Sequence, residues 1–506
     1  MENENKFVLA LYDFSSKQEY IYKTSKIREI SGASQLLDEM YIKFIEILQA
    51  NNIPVAFKNS DGSYCDFSTK SFPVVNINGN KVEADGQVLY EGGGNLLVLF
   101  KSKGIYIDSN KIFSMYILQK YPGLHMLSAC VEYTGIFSGT DESDLQRLYK
   151  ENERQKNFCP SYDLTAVTPM TQIDPMTFLP VTEKFSKEQP GNPYPTEVSL
   201  SADRYSKVVG YNNNRTNFEK KADAFDEGLT AVIYIDGNSM GEKLKSIVSE
   251  DYDTGVARQR EFSENVKRSF VSNPVKQLED DGYSFRKVIG GGDEITIICK
   301  AEDALNITTR YFELLDKSMS VLPNGCGQQM TEAQKKNTAC AGICVIHAKS
   351  PFTVAYEIAE AACENAKKEY RKTPEKPDSY FDFYFCHAGV TADFDYTRKR
   401  EQKMTGRPYM IADIKGRLKE KAAVLKKAGR ANVKSLGVAA QKGQTAFDIE
   451  VMRVNAYLAD FNDPADMIKP KLLPDDLKIV YDIAEFYDLW FCGSDSEKED
   501  IHAADN

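Results

Sequence analysis

Histidine is scarce in this chain, and the motifs through which it usually holds a catalytic metal are missing. Only four of the 506 residues are histidines, at positions 125, 347, 387 and 502. The sequence contains neither an HD dipeptide nor an HExxH motif. Such motifs bring imidazoles to the spacing that a catalytic metal requires. Histidine-based metallohydrolase chemistry is therefore not expected.

Paired cysteines are missing as well, because none of the ten cysteines belongs to a CxxC motif. Scattered thiols of this kind favour a reduced, cytoplasmic protein over a disulfide framework or a zinc site. Cys340 and Cys344 lie in an apolar segment and are predicted to be core residues. No apolar run approaches the ~18 residues of a membrane helix, and the first residues turn polar too soon for a secretory signal. We expect a cytoplasmic protein with no membrane partner.

Positive charge is in deficit. The formal net charge of −11 at pH 7 argues against non-specific binding of nucleic acid over the whole surface, although a local basic groove is compatible with it. The last residues, GSDSEKEDIHAADN, are acidic and lack apolar periodicity, so we interpret them as a disordered tail. A chain of 506 residues is expected to form two or three domains.

The first 137 residues alternate between apolar, strand-like runs and helical patterns. FVLALYDFSS predicts a buried strand, and SGASQLLDEMYIKFIEILQANN predicts a helix that Ser31 or Ser34 would cap. EGGGNLLVLF is typical of a glycine turn that leads into a strand, and another helix and strand follow. Residues 138–228 are rich in proline, asparagine and charge, and are predicted to be an irregular insert that joins two domains.

The same order of elements recurs over residues 229–408. LTAVIYIDGNSMG predicts a strand and a turn, FRKVIGGGDEITIICK predicts a glycine-turned hairpin, and each is followed by a helical pattern. The EGGGN turn stands in the first copy where GGGDE stands in the second. This internal duplication predicts an α+β fold with two ferredoxin-like βαββαβ domains.

Residues 409–506 are predicted to form a helical C-terminal domain that ends in the acidic tail. The segment IKGRLKEKAAVLKKAGRANVKSL is strongly basic. One interpretation of this charge is a solvated helix face. The other is a docking surface for a nucleic acid or a ribonucleoprotein partner.

Three acidic residues are predicted to meet in the second copy. In a βαββαβ sheet the first strand lies beside the central hairpin, so Asp236 would be near Asp293 and Glu294. Clustered carboxylates repel each other unless a cation joins them. Two Mg²⁺ ions about 3.5–4 Å apart would satisfy them and would clamp a nucleoside triphosphate. Taken singly, Asp236 could be a helix cap, and a GGDE turn could be ordinary solvated turn chemistry.

Glycines and a lysine surround the predicted carboxylate site. A bulky side chain in the turn at Gly291 or Gly292 would block the approach of phosphates to the backbone. The segment GNSMG after Asp236 opens a helix whose free amide groups could bind phosphate. Lys367, one helix later, could neutralise a leaving pyrophosphate, although alone it would pass for an ordinary lysine near a helix end.

These segments carry a resemblance to a known family. YIDGNSMG, GGGDE and CAGICVIHAKSPFTVAYEIAEAACENAKKE resemble the catalytic palm of the large subunit of type III CRISPR effectors, the Cas ten family, which is related to GGDEF cyclases. DFSSKQEYIYKTSKIREISGASQLLDE is similar to the first, degenerate palm of that family. RKREQKMTGRPYMIADI resembles the stretch after the second palm, so the resemblance covers most of residues 7–415.

The resemblance implies synthesis of cyclic oligoadenylate, or a related cyclic nucleotide, from ATP with two Mg²⁺ or Mn²⁺ ions. Asp236, Asp293 and Glu294 would hold the metals. CRISPR subunits that bind crRNA are implied partners, with target RNA as activator; the oligomeric state stays open. The triphosphate would be bound by Lys367 and by the backbone of Gly237, Asn238, Ser239, Met240 and Gly241. A second nucleotide would lie against the first palm, near Ser31, Gly32 and Ser34.

The chain also departs from the family pattern. Asp293-Glu294 replaces a frequent Asp-Asp pair, and EGGGN has no acid after its glycines, so the first palm is expected to be catalytically inactive. We expect no HD nuclease domain, and no zinc, because Cys159 lacks the cysteine quartet of the family's zinc module. Two alternatives remain open: a nucleotide-binding scaffold subunit without turnover, and a GTP-using enzyme similar to diguanylate cyclases.

Overall fold

A computed structural model gives the arrangement of most of the chain. It describes residues 6–15, 17–22, 27–59, 61–77, 79–121, 124–158, 228–348, 350–372, 377–386, 394–401, 403–459 and 474–491. Most of the predicted insert, Cys159 and the acidic tail lie outside these ranges. Within them, no helix is long and apolar enough to cross a membrane.

The first half of the chain builds a five-stranded sheet, a separate two-stranded hairpin and the helices that accompany them. Its strands are β1 (Val8–Ser15), β2 (Val55–Ala56), β3 (Val74–Ile77), β4 (Asn80–Glu83), β5 (Gly86–Gly92), β6 (Asn95–Phe100) and β7 (His125–Glu132). Its helices are α1 (Lys17–Ile21), α2 (Ile27–Ala50), α3 (Lys103–Lys120) and α4 (Asp144–Phe158). The strand order is β2-β5-β6-β1-β7, and β3 and β4 form a separate hairpin. The order of β5, β6, β1 and β7 is that of a ferredoxin-like βαββαβ unit.

The second half repeats this plan in a six-stranded sheet. Its strands are β8 (Leu229–Gly237), β9 (Phe285–Gly291), β10 (Glu294–Lys300), β11 (Ala339–His347), β12 (Tyr380–Phe385) and β13 (Tyr409–Met410). Its helices are α5 (Met240–Ser246), α6 (Tyr252–Val266), α7 (Asn273–Asp280), α8 (Ala304–Asp316), α9 (Glu332–Lys335), α10 (Phe352–Tyr370) and α11 (Phe394–Glu401). A π-helical turn, Lys267–Ser272, joins α6 to α7. The order β13-β12-β11-β8-β10-β9 contains the same ferredoxin-like core, so the predicted α+β fold with two such units is confirmed.

The end of the described chain is helical, as predicted. The helices are α12 (Ile411–Asp413), α13 (Lys419–Ala428), α14 (Arg430–Gln441), α15 (Gln444–Ala459) and α16 (Pro474–Phe486). Their apolar side chains join the core on one face of the second sheet. The fully buried Arg407 ties α16 to this sheet: its Nε lies 3.0 Å from Asp482 Oδ1, and its Nη1 donates to the carbonyl of Phe383 at 2.7 Å.

Each ferredoxin-like unit, called a palm from here on, sends the beginning of its first long helix onto the other palm. Ile21 and Ile30 of the first palm pack into the core between the second sheet and α10. Tyr252 and Val256 of α6 pack against the outer face of the first sheet. Arg260 of α6 donates three hydrogen bonds to backbone carbonyls of the first palm, at 2.7, 2.8 and 3.2 Å. The two sheets therefore share their cores.

Two local predictions were wrong. Ser31 and Ser34 do not cap a helix, because α2 begins at Ile27 and runs through both positions. Burial of Ile30 and Ala33 outweighs the modest helix preference of serine. Within the predicted irregular insert, Asp144–Phe158 is a regular helix, α4, which buries Leu145 and Leu148 against the first sheet. Cys340 and Cys344 are core residues, as predicted, since both are fully buried.

Candidate active site at the glycine hairpin

The strand register brings the three predicted carboxylates to one end of the second sheet. Asp236 is directly opposite Glu294 in the antiparallel pair of β8 and β10. Gly291 pairs with Glu294 across the hairpin, so Gly292 and Asp293 form the two-residue turn between β9 and β10. Gly292 has φ of +62°, a conformation that favours glycine because other residues carry a Cβ.

Asp293 leans over the backbone of the neighbouring strand. A Cβ built on Gly237 would lie 2.7 Å from Asp293 Oδ2 and 2.8 Å from Asp293 Cβ. Glycine at position 237 is therefore what lets this carboxylate approach the end of β8. A Cβ on Gly291, Gly292 or Gly241 would meet no atom within 4 Å, so the hairpin and the start of α5 border open space.

Burial and mutual repulsion make this carboxylate group basic. Burial and the charge of Asp236 raise the pKa of Asp293 to about 6. Burial and the charges of Asp236 and Asp293 raise the pKa of Glu294 to about 7. A group of carboxylates with raised pKa values in a cleft is characteristic of functional sites. It is a group that gains stability when a cation binds.

Lys367 supplies one such positive charge. It lies on α10, and its side chain is 17% exposed. Its Nζ is ion-paired with Asp236 Oδ2 and is 3.4 Å from the carbonyl oxygen of Gly237. Burial is the largest influence on the pKa of Lys367 and lowers it, but the charge of Asp236, the hydrogen bond to it and the neighbouring cysteines together outweigh burial, and the net shift is upward. One amine faces three carboxylates, so the group keeps an excess of negative charge.

The oxygen ligands at this hairpin suit Mg²⁺ or Mn²⁺, which prefer carboxylates. In the part of the chain that the structure describes, no three His, Cys, Asp or Glu side chains surround a common point closely enough to chelate an ion. At Asp236, Lys367 holds one of the two carboxylate oxygens, Oδ2. The three carboxylates have the oxygen donors and the negative charge that a divalent ion prefers.

The side chains of the segment after β8 that is predicted to bind phosphate make contacts within the protein. Asn238 is buried, and its side chain donates to Thr338 Oγ1 at 3.3 Å, away from the open cleft. Ser239 has φ of +56° without being glycine, and its hydroxyl is 2.8 Å from the Tyr370 hydroxyl. Met240 begins α5 and packs partly against the core. The backbone amide of Asn238 also donates within the protein, to the carbonyl of Thr338 at 2.9 Å, so the phosphate-binding role of this segment stays a prediction.

The contacts predicted for a second nucleotide are less defined. Gly32 and Ser34 are buried within α2, and α2 packs against β9. Ser31 lies on the same helix. Among the described side chains, no hydrogen bond joins Ser34 to the carboxylates, and the role predicted for Ser31, Gly32 and Ser34 stays a prediction.

Sequence reasoning missed two features of the site. Lys243 is almost fully buried on α5; it donates to the carbonyl of Lys336 at 2.7 Å, and burial lowers its pKa to about 8, opposed by the charge of Asp293. The sequence signal that could have pointed to Lys243 is its position seven residues after Asp236, in the helix that GNSMG opens. The other feature is a tyrosine cluster beside Glu294, which no local pattern could reveal because it is built from both palms.

The tyrosine cluster is formed by Tyr22 of the first palm with Tyr234 and Tyr356 of the second. The rings of Tyr22 and Tyr356 are 4.0 Å apart, and those of Tyr234 and Tyr356 meet edge-on at 5.5 Å. Burial and the charge of Glu294 raise the pKa of Tyr234. Gln18 also reaches across, donating to the Tyr356 hydroxyl at 3.2 Å. The first palm therefore supports the surroundings of Glu294.

Comparison with known proteins agrees with this geometry. Residues 229–374 match a family model described as Cas10/Cmr2, second palm domain. The second palm is Cas10-like. The matched segment contains the whole Cas10-like palm from β8 to the end of α10, with Asp236, Asp293, Glu294 and Lys367. The resemblance drawn from the sequence is thereby confirmed.

One solved structure, with a TM-score of 0.50, extends the likeness in fold to nearly the whole chain. A crystal structure of a Csm1–Csm4 cassette in complex with cA4 is 13% identical, with a TM-score of 0.50, and the match covers 96% of this chain and 70% of that chain. A cassette in complex with pppApApA is 12% identical, with a TM-score of 0.49 and coverages of 94% and 69%. A Csm1–Csm4 subcomplex of a type III-A CRISPR-Csm interference complex is 11% identical, with a TM-score of 0.48 and coverages of 94% and 70%. No curated protein sequence gave a significant match.

Proposed function

We propose that this protein is a metal-dependent nucleotidyltransferase that makes cyclic oligoadenylate, or a related cyclic nucleotide, from ATP in antiviral defence. The observation that carries the proposal is the group of buried carboxylates at the glycine hairpin, with Lys367 beside it, in a Cas10-like palm. Csm1–Csm4 cassettes that bind cA4 and pppApApA share the fold. They support the choice of adenine nucleotides.

The residues of the second palm would divide the work as follows. Asp236, Asp293 and Glu294 would hold two Mg²⁺ or Mn²⁺ ions, which would activate a 3′-hydroxyl and stabilise charge on the phosphates. Lys367 would move from Asp236 to the triphosphate and neutralise the departing pyrophosphate. Open space over Gly291 and Gly292 would admit the phosphates to the backbone.

The reaction would join two nucleotides held between the palms. The 3′-hydroxyl of one attacks the α-phosphorus of the other, a P–O bond forms, and pyrophosphate leaves with the electron pair of the broken P–O bond. The hydroxyl proton passes to solvent. The protein contributes mainly by positioning the reactants and by pre-organised charge.

Assembly with other CRISPR subunits is part of the proposal. The fold is that of Csm1 in Csm1–Csm4 structures, so a Csm4-like subunit that contacts crRNA is the expected partner, with target RNA as activator. The basic helices after residue 409 would be one surface available for docking.

A turnover assay tests the proposed activity. Purified protein, alone and with partner subunits and target RNA, is incubated with ATP or GTP and Mn²⁺, and products are identified by mass spectrometry. Cyclic products and pyrophosphate are expected, and Asp293→Asn and Glu294→Gln should each reduce them at least about 100-fold. Glu302→Gln removes an exposed acid near the same sheet and is the matched control. Unchanged product formation in both site variants would refute the assignment.

One observation favours a second candidate, a scaffold subunit that binds nucleotide without turnover. Lys367 already neutralises Asp236, which would let the site hold a nucleotide through lysine and backbone alone. ATP binding in the presence of EDTA, with no pyrophosphate release under any assembly, would identify the scaffold. Products from GTP and not ATP would instead identify an enzyme similar to diguanylate cyclases.

A further inference from the structure

The first palm repeats the plan of the candidate site with different chemistry. Asp13 of β1 is opposite Asn95 of β6, just as Asp236 of β8 is opposite Glu294 of β10. Asp13 is therefore the counterpart of Asp236 near the end of its strand, and its side chain is more deeply buried, 8% exposed against 28% for Asp236. The first palm has kept this carboxylate while Asn95 has replaced the glutamate.

The lysine of the site is repeated as well. Lys156 lies on α4, the helix that follows β7, as Lys367 lies on α10, the helix that follows β11. Its Nζ is 2.5 Å from Asp13 Oδ2. The pair of Asp13 and Lys156 is thus the counterpart of the pair of Asp236 and Lys367.

The first palm adds a second amine, at the turn. Gly92 pairs with Asn95 across the hairpin, which makes Gly94 the counterpart of Asp293. Lys17 of α1 lies 3.2 Å from Asp13 Oδ1 and 3.2 Å from the carbonyl oxygen of Gly93. A Cβ on Gly94 would overlap the amine of Lys17. The amine of Lys17 therefore occupies the position that corresponds to the Cβ of Asp293 in the second palm.

The two sites consequently carry opposite charge. In the first palm one carboxylate faces two amines, a net charge of +1. In the second palm three carboxylates face the amine of Lys367, with the buried amine of Lys243 near Asp293, so negative charge stays in excess. A divalent ion is attracted to the second group and repelled by the first.

We propose that the amine of Lys17 is a built-in replacement for the divalent ion in the first palm. It neutralises Asp13, bridges that carboxylate to the hairpin backbone at Gly93, and excludes both the turn carboxylate and a metal. The first palm then offers amines, not metal, to any anionic group in the cleft, and only the second palm can assist a reaction by metal. This inference concerns the charge of the first palm and stands apart from the proposed activity.

Installing the missing acids tests the proposal. The background carries Asp236→Asn, Asp293→Asn and Glu294→Gln, so that Mn²⁺ bound to the second palm does not contribute. Gly94→Asp and Asn95→Glu are then introduced with Lys17 intact or with Lys17→Met. Aspartate tolerates the left-handed backbone at position 94, where φ is +78°. Mn²⁺ binding is followed by electron paramagnetic resonance, and folding by circular dichroism.

The two variants differ only in the lysine. We expect saturable Mn²⁺ binding in the Lys17→Met variant, at least about tenfold tighter than in the background protein. When Lys17 is intact, we expect no binding above that of the background protein. A tenfold change is the smallest effect expected for a group that orients or blocks a metal ligand. Equal Mn²⁺ binding with and without Lys17 would overturn the proposal.

A simpler variant covers the case in which the turn substitutions prevent folding. In the same background, Lys17→Met alone should lower the melting temperature, because Asp13 loses one of its two counter-ions, and Lys17→Arg should recover part of the loss because it keeps the charge. Lys17→Met should have a much smaller effect when Asp13→Asn is already present. A melting temperature that does not change on Lys17→Met, or an equal change with and without Asp13, would contradict the proposed role.

Discussion

The carboxylate of Asp293 lies over the backbone of Gly237, on the neighbouring strand, so closely that no side chain fits between them. Gly237 pairs with Ala339 in the sheet and has no positive φ. Its backbone would therefore accept alanine. The glycine is required by the carboxylate and not by the local conformation.

Gly237→Ala should therefore displace Asp293 while leaving the fold intact. We expect turnover, or Mn²⁺ affinity where turnover is absent, to fall about 10- to 100-fold, the range found when a group that orients a metal ligand is lost. Isothermal titration with Mn²⁺ and the melting temperature give the two readouts. Gly416→Ala is the control, because a Cβ there meets nothing within 4 Å. A site that works normally with alanine at position 237 would show that Asp293 is not held in its observed place.

Lys367 is the second group whose removal has a defined consequence. Lys367→Ala should leave Asp236 without its cation and the triphosphate without a positive partner, so kcat should fall about 100-fold. Lys367→Arg should retain more activity than alanine because it keeps the charge. Lys368→Ala changes the next residue on the same helix, which is largely exposed, and should behave as wild type. Steady-state kinetics with ATP would separate kcat from KM, and equal losses at both lysines would remove the special role of Lys367.

The raised pKa values of Asp293 and Glu294 predict an unusual pH dependence in protein treated with EDTA. Folding favours the protonated carboxyls, so their contribution to stability is complete below about pH 4 and is lost as pH rises through about 6 and 7. For Glu294, whose pKa is raised from 4.5 to about 7, the loss is about 3 kcal/mol. Glu294→Gln should therefore raise the melting temperature at pH 8 more than at pH 5.

Mn²⁺ should reverse this trend, because the ion binds the deprotonated carboxylates and its apparent affinity should increase from pH 6 to pH 8. Thermal melts across this range, with EDTA or with Mn²⁺, measure both effects. Glu302→Gln, at an exposed position, should leave the two pH profiles as they are. An EDTA profile that rises with pH in the wild type would show that the carboxyls are not stabilised in their protonated form.

The contact between Tyr22 and Tyr356 predicts that the first palm contributes to the second site. Tyr22→Ala removes the ring packed at 4.0 Å on Tyr356 and opens the support beside Glu294. We expect turnover to fall about tenfold, with a loss of stability of about 1–3 kcal/mol for the buried ring. Tyr22→Phe keeps the ring and should recover most of both. Activity and urea unfolding would be compared with Tyr116→Ala, which removes a half-buried ring on α3 far from the hairpin.

Several features of this protein could be predicted from residues alone. The duplicated order of strands and helices, and the glycine hairpin with Asp293 and Glu294, follow from local periodicity and turn chemistry, which act over a few residues. The position of Asp236 beside them follows from the βαββαβ topology, which has few alternatives. The limits of α2 did not follow, because burial of Ile30 overrode the preference of serine for a helix cap.

Relations across long separations in the chain depended on the tertiary structure. FVLALYDFSS and AVIYIDG each contain an aspartate after an apolar run, yet only the strand register equates Asp13 with Asp236. The tertiary structure also shows that two lysines, 4 and 143 residues further along, neutralise Asp13. The packing of helices of each palm on the other palm, which places Tyr22 near Glu294, also depended on the tertiary structure. Local sequence determined the elements and their acidic turn, because propensity and periodicity are short-range. Packing between distant elements decided the charge of each site, because a carboxylate takes its counter-ion from whichever side chain the fold brings within a few ångströms.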